Sequence, residues 1–285
     1  MNTTVDTLVI GAYVDEENGA DRAGSVYIFQ SSSLGYQQIQ KLTASFNTDG
    51  TQLTDTLYNR FGSSVSMNST GDALVIGAEG DTENGGGNAG AVYIFQSGSQ
   101  GYQQVQKLTA SGDVNPGNDV FGSSVSMNPT GDTLIVGAQT DDKNGSLAGS
   151  VYIFQSGSQG YQQVQKLTAS GDADPASDSF GWSVSMNPTG DTLVIGAFGD
   201  EENGGSNQWG SGAGSVYIFQ SGSQGYQQVQ KLTARGDADP AGDRFGHSLF
   251  INTTGDTLVV GAYADEENGG TNAGSAYIFK LTRDY

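Results

Sequence analysis

Three loops set carboxylate and amide oxygens at matching intervals: Asp113-x-Asn115-x-x-x-Asp119, Asp172-x-Asp174-x-x-x-Asp178 and Asp237-x-Asp239-x-x-x-Asp243. Hard oxygen ligands at relative positions 1, 3 and 7 match part of a calcium-loop spacing, although none of these loops carries the glutamate at position 12 that completes an EF-hand. A second set recurs five times as Asp-x-x-Asn-Gly, headed by Asp15, Asp81, Asp141, Asp200 and Asp265. These residues are the candidate ligands for Ca2+. The same residue types also fix turns through their own backbone, and Asn-Gly favours positive φ, so a structural role accounts for the same letters.

Other chemistry is scarce. His247 is the only histidine and there is no cysteine, so a nucleophilic triad would rest on one residue and no thiolate site exists. His247 fills a slot held elsewhere by Ser63, Ser123 and Trp182, which points to packing rather than catalysis. No acid stands out at the carboxylate spacing of a glycosidase. Large side chains do appear where otherwise similar segments diverge: Trp182 and His247 in one slot, Tyr13, Phe198 and Tyr263 in another, and Trp209 in the insert GGSNQWGSGAG. Aromatic rings on loops make a plausible ligand platform, and drift in solvent-exposed loops is the competing account. Arg235-Gly236-Asp237 spells an adhesion tripeptide, but it is one substitution away from the Ser-Gly-Asp of the other copies.

The charge balance narrows the partners. There are 31 acidic against 11 basic residues, a formal net charge of −20. A surface this negative repels phosphates, so nucleic acid is not an expected partner. No apolar stretch approaches the length of a membrane span, so membrane insertion is not expected.

The elements that must carry these loops repeat. VYIF or a near copy begins at Val26, Val92, Val151, Val216 and Ala276, and between copies recur YQQVQKLTA, FGSSVSMN and TGDTLVIGA. In residues 121–170, FGSSVSMN alternates as strand 1, NPTGD is a turn, and TLIVGA is a continuous apolar run suited to a strand covered on both faces. VYIF is strand 3. The Gln-rich YQQVQKLTA is strand 4, read as an exposed outer edge on which Lys166 discourages aggregation. Four short strands repeated about five times is the pattern of a β-propeller. The expected fold is all-β: a propeller of four-stranded antiparallel blades in one domain, 1–285. Its five units are 1–45, 61–111, 121–170, 180–235 and 245–285, of which the first lacks strand 1 and the last lacks strand 4. In such a ring the 2–3 and 4–1 loops emerge on one side, which would gather most of the acidic residues into one negative surface.

Phe-Gly opening strand 1 (Phe61-Gly62, Phe121-Gly122, Phe180-Gly181, Phe245-Gly246) and Gly-Ala closing strand 2 (Gly77-Ala78, Gly137-Ala138, Gly196-Ala197, Gly261-Ala262), followed by VYIF, resemble the FG-GAP repeat. That repeat builds the propeller of integrin α-subunits and of many microbial surface proteins. The sequence departs from it twice. The residue after Gly-Ala is never proline, and the family's calcium loop between strands 1 and 2, DxDxDGxxD, is replaced by the short turn NPTGD. The resemblance implies a non-enzymatic binding or adhesion module, extracellular or on a cell surface. It would grip a protein or glycan through the acidic loops, with calcium as a candidate cofactor. The rival expectation is a structural assembly subunit, a homo-oligomer or part of a larger assembly, whose incomplete blades pack against neighbouring chains.

Overall fold

The computed structural model describes residues 2, 4, 6–16, 20–46, 58–83, 87–111, 116–171, 175–201, 212–234, 241–266 and 273–281. Among them there is no helix, and so none long and apolar enough to cross a membrane. The fold is all-β and of β-propeller type, with five blades. Blade 1 comprises Thr7–Ala12 (β1), Ser25–Ser32 (β2) and Gly35–Leu42 (β3). Blade 2 comprises Phe61–Met67 (β4), Ala73–Ala78 (β5), Ala91–Gly98 (β6) and Gly101–Leu108 (β7). Blade 3 runs Ser124–Met127 (β8), Thr133–Ala138 (β9), Ser150–Gly157 (β10) and Gly160–Leu167 (β11). Blade 4 runs Ser183–Met186 (β12), Thr192–Ala197 (β13), Ser215–Gly222 (β14) and Gly225–Leu232 (β15), and blade 5 is Phe245–Ile251 (β16), Thr257–Ala262 (β17) and Ser275–Lys280 (β18). Strands follow chain order within every sheet, and the first and last sheets have three strands. The chain divides into two compact units, Met1–Val136 with Phe154–Val164, and Gly137–Ile153 with Gln165–Tyr285.

Why these residues make blades is visible in their burial. Every residue of β5, β9 and β13 is buried, as the continuous apolar run predicts for a strand covered on both sides. The Phe of each Phe-Gly is fully buried and meets the strand-3 aromatics of its own blade edge-on, as in Phe61 with Tyr93 at 5.4 Å and Phe95 at 5.9 Å. At the 1–2 turn, Asn68, Asn128, Asn187 and Asn252 each donate through Nδ2 to the Asp four residues on, at 2.5–2.8 Å. These bonds favour the ionised Asp. Hydrogen bonds from Thr257, Asn252 and Thr254 hold Asp256 down at about 2.

The two dipeptides of the repeat belong together. The Gly of Phe-Gly in one blade lies against the Gly of Gly-Ala in the preceding blade. A methyl group on Gly77 would stand 2.0 Å from the Gly122 carbonyl oxygen, and one on Gly196 would stand 2.1 Å from that of Gly246. Next to this contact, the Phe121 amide donates to the Ala89 carbonyl at 3.0 Å and the Phe245 amide to Ala213 at 2.9 Å. Each 2–3 loop is thereby fastened to the 4–1 connection that leads into the following blade.

The outer strands explain the glutamines. Gln40 clasps the backbone of Tyr102 in the next blade, donating to its carbonyl and accepting from its amide, both at 2.9 Å. Gln106 does the same to Tyr161, and Gln165 to Tyr226. Strand 4 is outermost as expected, but Lys166 is not an exposed gatekeeper: its side chain is 14 % exposed, and only Lys41 among the strand-4 lysines is exposed. Lys107 is only 5 % exposed, because its side chain folds inward to the 2–3 loop of its own blade, as described below.

The glycine contact makes a direct prediction. Gly77→Ala lowers stability by about 2–3 kcal/mol in urea unfolding, since a methyl cannot fit against a carbonyl oxygen. Gly98→Ala has nothing nearer than 3.9 Å and changes it by less than about 0.5 kcal/mol. Equal effects at the two positions would contradict the packing.

Candidate functional site

The five Asp-x-x-Asn-Gly aspartates are placed by one device. Each accepts a hydrogen bond from the strand-3 tyrosine of its own blade: Tyr27 to Asp15 and Tyr93 to Asp81 at 2.6 Å, Tyr152 to Asp141 and Tyr217 to Asp200 at 2.8 Å, and Tyr277 to Asp265 at 2.7 Å. In the four blades with a fourth strand, the strand-4 lysine reaches the same carboxylate. The distances are 3.2 Å for Lys41–Asp15, 2.9 Å for Lys107–Asp81, 2.5 Å for Lys166–Asp141 and 2.8 Å for Lys231–Asp200. Each ammonium also stands over the ring of that tyrosine, at 4.9–5.5 Å from its centroid. Asp81, Asp141, Asp200 and Asp265 are buried. Burial, and then the charge of Asp81, push the Tyr93 phenol well up; the Tyr27 and Lys41 contacts hold Asp15 below the usual carboxylate range.

A carboxylate already engaged by a phenol and an ammonium ion is a poor calcium ligand, because the nearby cation repels a second one. Asp15, Asp81, Asp141 and Asp200 are therefore poorly suited to Ca2+. In the other candidate set, Asp119, Asp178 and Asp243 are buried, while Asp113, Asn115, Asp172, Asp174, Asp237 and Asp239 lie outside the described residues. Among the described residues no group of three or more acidic or histidine side chains could hold a metal ion.

The divergent aromatic residues do converge. In blades 4 and 5 the residue after Phe-Gly and the residue after Gly-Ala bring Trp182, Phe198, His247 and Tyr263 into one cluster. Ring centroids are 4.4 Å apart for Trp182–Phe198, 5.3 Å for Trp182–His247 and 4.5 Å for His247–Tyr263. Phe198 is buried beneath the others, Trp182 and His247 are half-buried, and Tyr263 is 44 % exposed. Sequence reasoning missed Arg244. It directly precedes Phe245-Gly246 and takes φ 61°, a left-handed conformation that an L-residue reaches only against a steric cost. Its guanidinium stands 5.0 Å from the Tyr263 ring centroid and 5.9 Å from that of Phe198. Its Nε is shielded from solvent and donates to no described atom. The signal was present: Arg60 and Arg244 occupy the same slot before Phe-Gly, and cations are rare in these loops.

Blades 1 and 2 hold a smaller version of this arrangement. Tyr13, Arg60, Ser63 and Glu79 line one depression, where Arg60 pairs with Glu79 at 3.0 Å. Tyr13 is thus far in sequence from the main cluster and occupies an equivalent slot rather than the same site. Trp209 lies outside the described residues.

Burial, and to a lesser extent Arg244, push His247 below its ordinary value. The neutral imidazole is what the cluster accommodates. The contribution of His247 to stability is therefore complete above about pH 6.5, the ordinary histidine value, and is lost as pH falls from there through the lower folded value. As the only histidine, His247 gives a single proton NMR titration, expected to have its midpoint below 6.5. Between pH 6.5 and 5 the thermal midpoint of the wild type falls more than that of His247→Gln. A midpoint above 6.5 contradicts the burial. Separately, Lys107→Met strands Asp81 and costs about 3 kcal/mol, whereas Lys41→Met, whose ion pair is about one-third exposed, costs less than about 1 kcal/mol.

No curated protein matches the chain. The family described as FG-GAP repeat matches it four times, over residues 36–95, 102–154, 161–219 and 226–279, each match running from strand 4 of one blade through strand 3 of the next. With the Phe-Gly and Gly-Ala glycines in contact between consecutive blades, these matches make the chain a member of the FG-GAP repeat family.

Proposed function

We propose that this chain is a non-catalytic recognition module that binds a protein ligand through the aromatic–arginine cluster of blades 4 and 5. One observation carries the reading. In repeats that are otherwise nearly alike, four of the positions that change to large side chains, Trp182, Phe198, His247 and Tyr263, meet at one place, with Arg244 beside them. Trp, Tyr and Arg are the residue types that dominate binding energy at protein interfaces, where they sit in desolvated, well-packed surroundings. A ligand segment that lays an apolar or planar group on Trp182 and Tyr263, and offers a carboxylate or carbonyl oxygen to Arg244, would complete the donor inventory of the cluster. FG-GAP repeats are typical of extracellular or surface proteins, and such a location suits this role. Calcium is not required by it.

Selection from a displayed peptide library, set beside a glycan array, tests the proposal. Peptides that bind the wild type are expected to lose about 30-fold or more in affinity on Trp182→Ala or Arg244→Ala, equivalent to the hot-spot threshold of about 2 kcal/mol. Tyr13→Ala leaves them bound. Binding that survives both cluster substitutions places the ligand elsewhere, and glycan binding without peptide binding replaces the proposed ligand class.

A further inference from the structure

Of the four anchors that include a lysine, the one in blade 2 has the most deeply buried lysine, and it holds a second acid. The Lys107 side chain is 0 % exposed and that of Asp81 2 %, whereas the Lys41–Asp15 pair is 33 % and 29 % exposed. The Glu83 carboxylate also reaches the Lys107 ammonium group, from the rim of the same pocket. In blade 3 the slot two residues after the anchor aspartate is Lys143. Glu17 and Glu202 hold it in blades 1 and 4 and lie outside the described residues. Asp81, Glu83, Tyr93 and Lys107 all belong to one compact unit.

The arrangement is that of the reactants for an amide. Lys107 Nζ lies 3.1 Å from Asp81 Oδ1 and 2.9 Å from Oδ2. Near-equal contact with both oxygens leaves the carboxyl carbon within about 3.5 Å of the nitrogen, the separation of a near-attack conformer. Both oxygens also face fixed donors: the Tyr93 hydroxyl donates to Oδ2 at 2.6 Å and the Glu83 amide to Oδ1 at 3.0 Å. Such donors stabilise the negative charge that passes to oxygen when a carboxyl carbon is attacked. Burial disfavours both charges of the pair, and so favours an exchange that leaves neutral groups. An ion pair needs only Lys107 and Asp81. A condensation also needs a group that moves protons off the ammonium, and Glu83 stands against it.

We propose that Lys107 and Asp81 condense into an intramolecular amide, with Glu83 as the proton carrier. Glu83 takes a proton from the ammonium group and frees the amine. The nitrogen lone pair attacks Asp81 Cγ and a C–N bond forms. One Cγ–Oδ bond breaks and its electron pair leaves with the oxygen. That oxygen departs as water, carrying two protons that came from the ammonium group through Glu83. One cation and one anion become a neutral amide and water, Glu83 ends ionised as it began, and the balance needs no other reactant. The bond joins the 2–3 loop to strand 4 across 26 residues and makes the registration of blade 2 permanent. It is independent of the aromatic cluster and of the ligand proposed above.

Mass spectrometry of the denatured full chain tests it. The wild type is expected to be lighter than its sequence by the mass of one water. Its tryptic digest is expected to contain one branched peptide that joins the segments of Asp81 and Lys107. Lys107→Arg and Glu83→Gln are each expected at full sequence mass, and Glu83→Gln is expected to keep the circular dichroism of the wild type. Lys166 is expected to be cut by trypsin as a free lysine, because Lys143 occupies the Glu83 slot of its blade. A wild type at full sequence mass overturns the proposal, whether or not the variants fold. A water loss that maps to a cyclised aspartate rather than to a branched peptide also overturns it. A Glu83→Gln chain that still loses water removes the proton carrier, and the mechanism fails with it.

Discussion

Consecutive blades approach so closely that only glycine fits between them, and this contact organises the rest of the chain. The glycine after Phe rests on the glycine before Ala, backbone against backbone, in both compact units: Gly62 on Gly11, Gly122 on Gly77, Gly181 by Gly137 and Gly246 on Gly196. Everything specific to a blade is built outward from there. The Phe of the pair seals the sheet core, its amide ties down the preceding 2–3 loop, and the residues on either side of the dipeptides are pushed to the surface beside that loop. The repeat is therefore a packing device first. Its neighbouring positions are free to vary, and there the chain has placed Trp182, His247, Phe198, Tyr263 and Arg244.

The acidic residues divide into two populations that composition alone could not separate. A net charge of −20 invites the picture of one negative surface. An aspartate in each of the five 2–3 loops serves as an anchor, drawn to the strand-3 tyrosine and, in four blades, to the strand-4 lysine. A buried ion pair is weak evidence for net stability, since desolvation offsets much of the attraction. What it supplies here is registration. The carboxylate sits on the loop, the phenol on the third strand and the ammonium on the fourth, so the group holds three elements of a blade to one geometry.

Much of this was legible in the sequence. The order of four strands, the missing strand 1 of the first blade and the missing strand 4 of the last follow from counting repeats, and the sheets bear each out. The convergence of Trp182, His247, Phe198 and Tyr263 was foreshadowed by where similar units diverge. The aspartate anchors were not legible. Asp-x-x-Asn-Gly and a lysine 25 to 31 residues later look unrelated until the hairpin of strands 3 and 4 folds the lysine back over the tyrosine ring. Arg244 was passed over because its importance lies in a left-handed backbone that aims the side chain inward, and a one-letter code does not report φ. The glutamines of strand 4 read as mere polarity, yet three of them grip the backbone of the following blade.

The glycine-centred seam is the claim on which the blade packing, the loop anchoring and the position of the cluster all rest. Native-state hydrogen exchange of the amides beside it probes that seam most directly. The Phe121 and Phe245 amides, each bonded across consecutive blades, should exchange only through global unfolding and be among the slowest in the protein. If they exchange as fast as the amide of Leu34, an exposed turn residue whose N–H donates to the Ser32 hydroxyl, the blades are not locked at the glycines and the account fails.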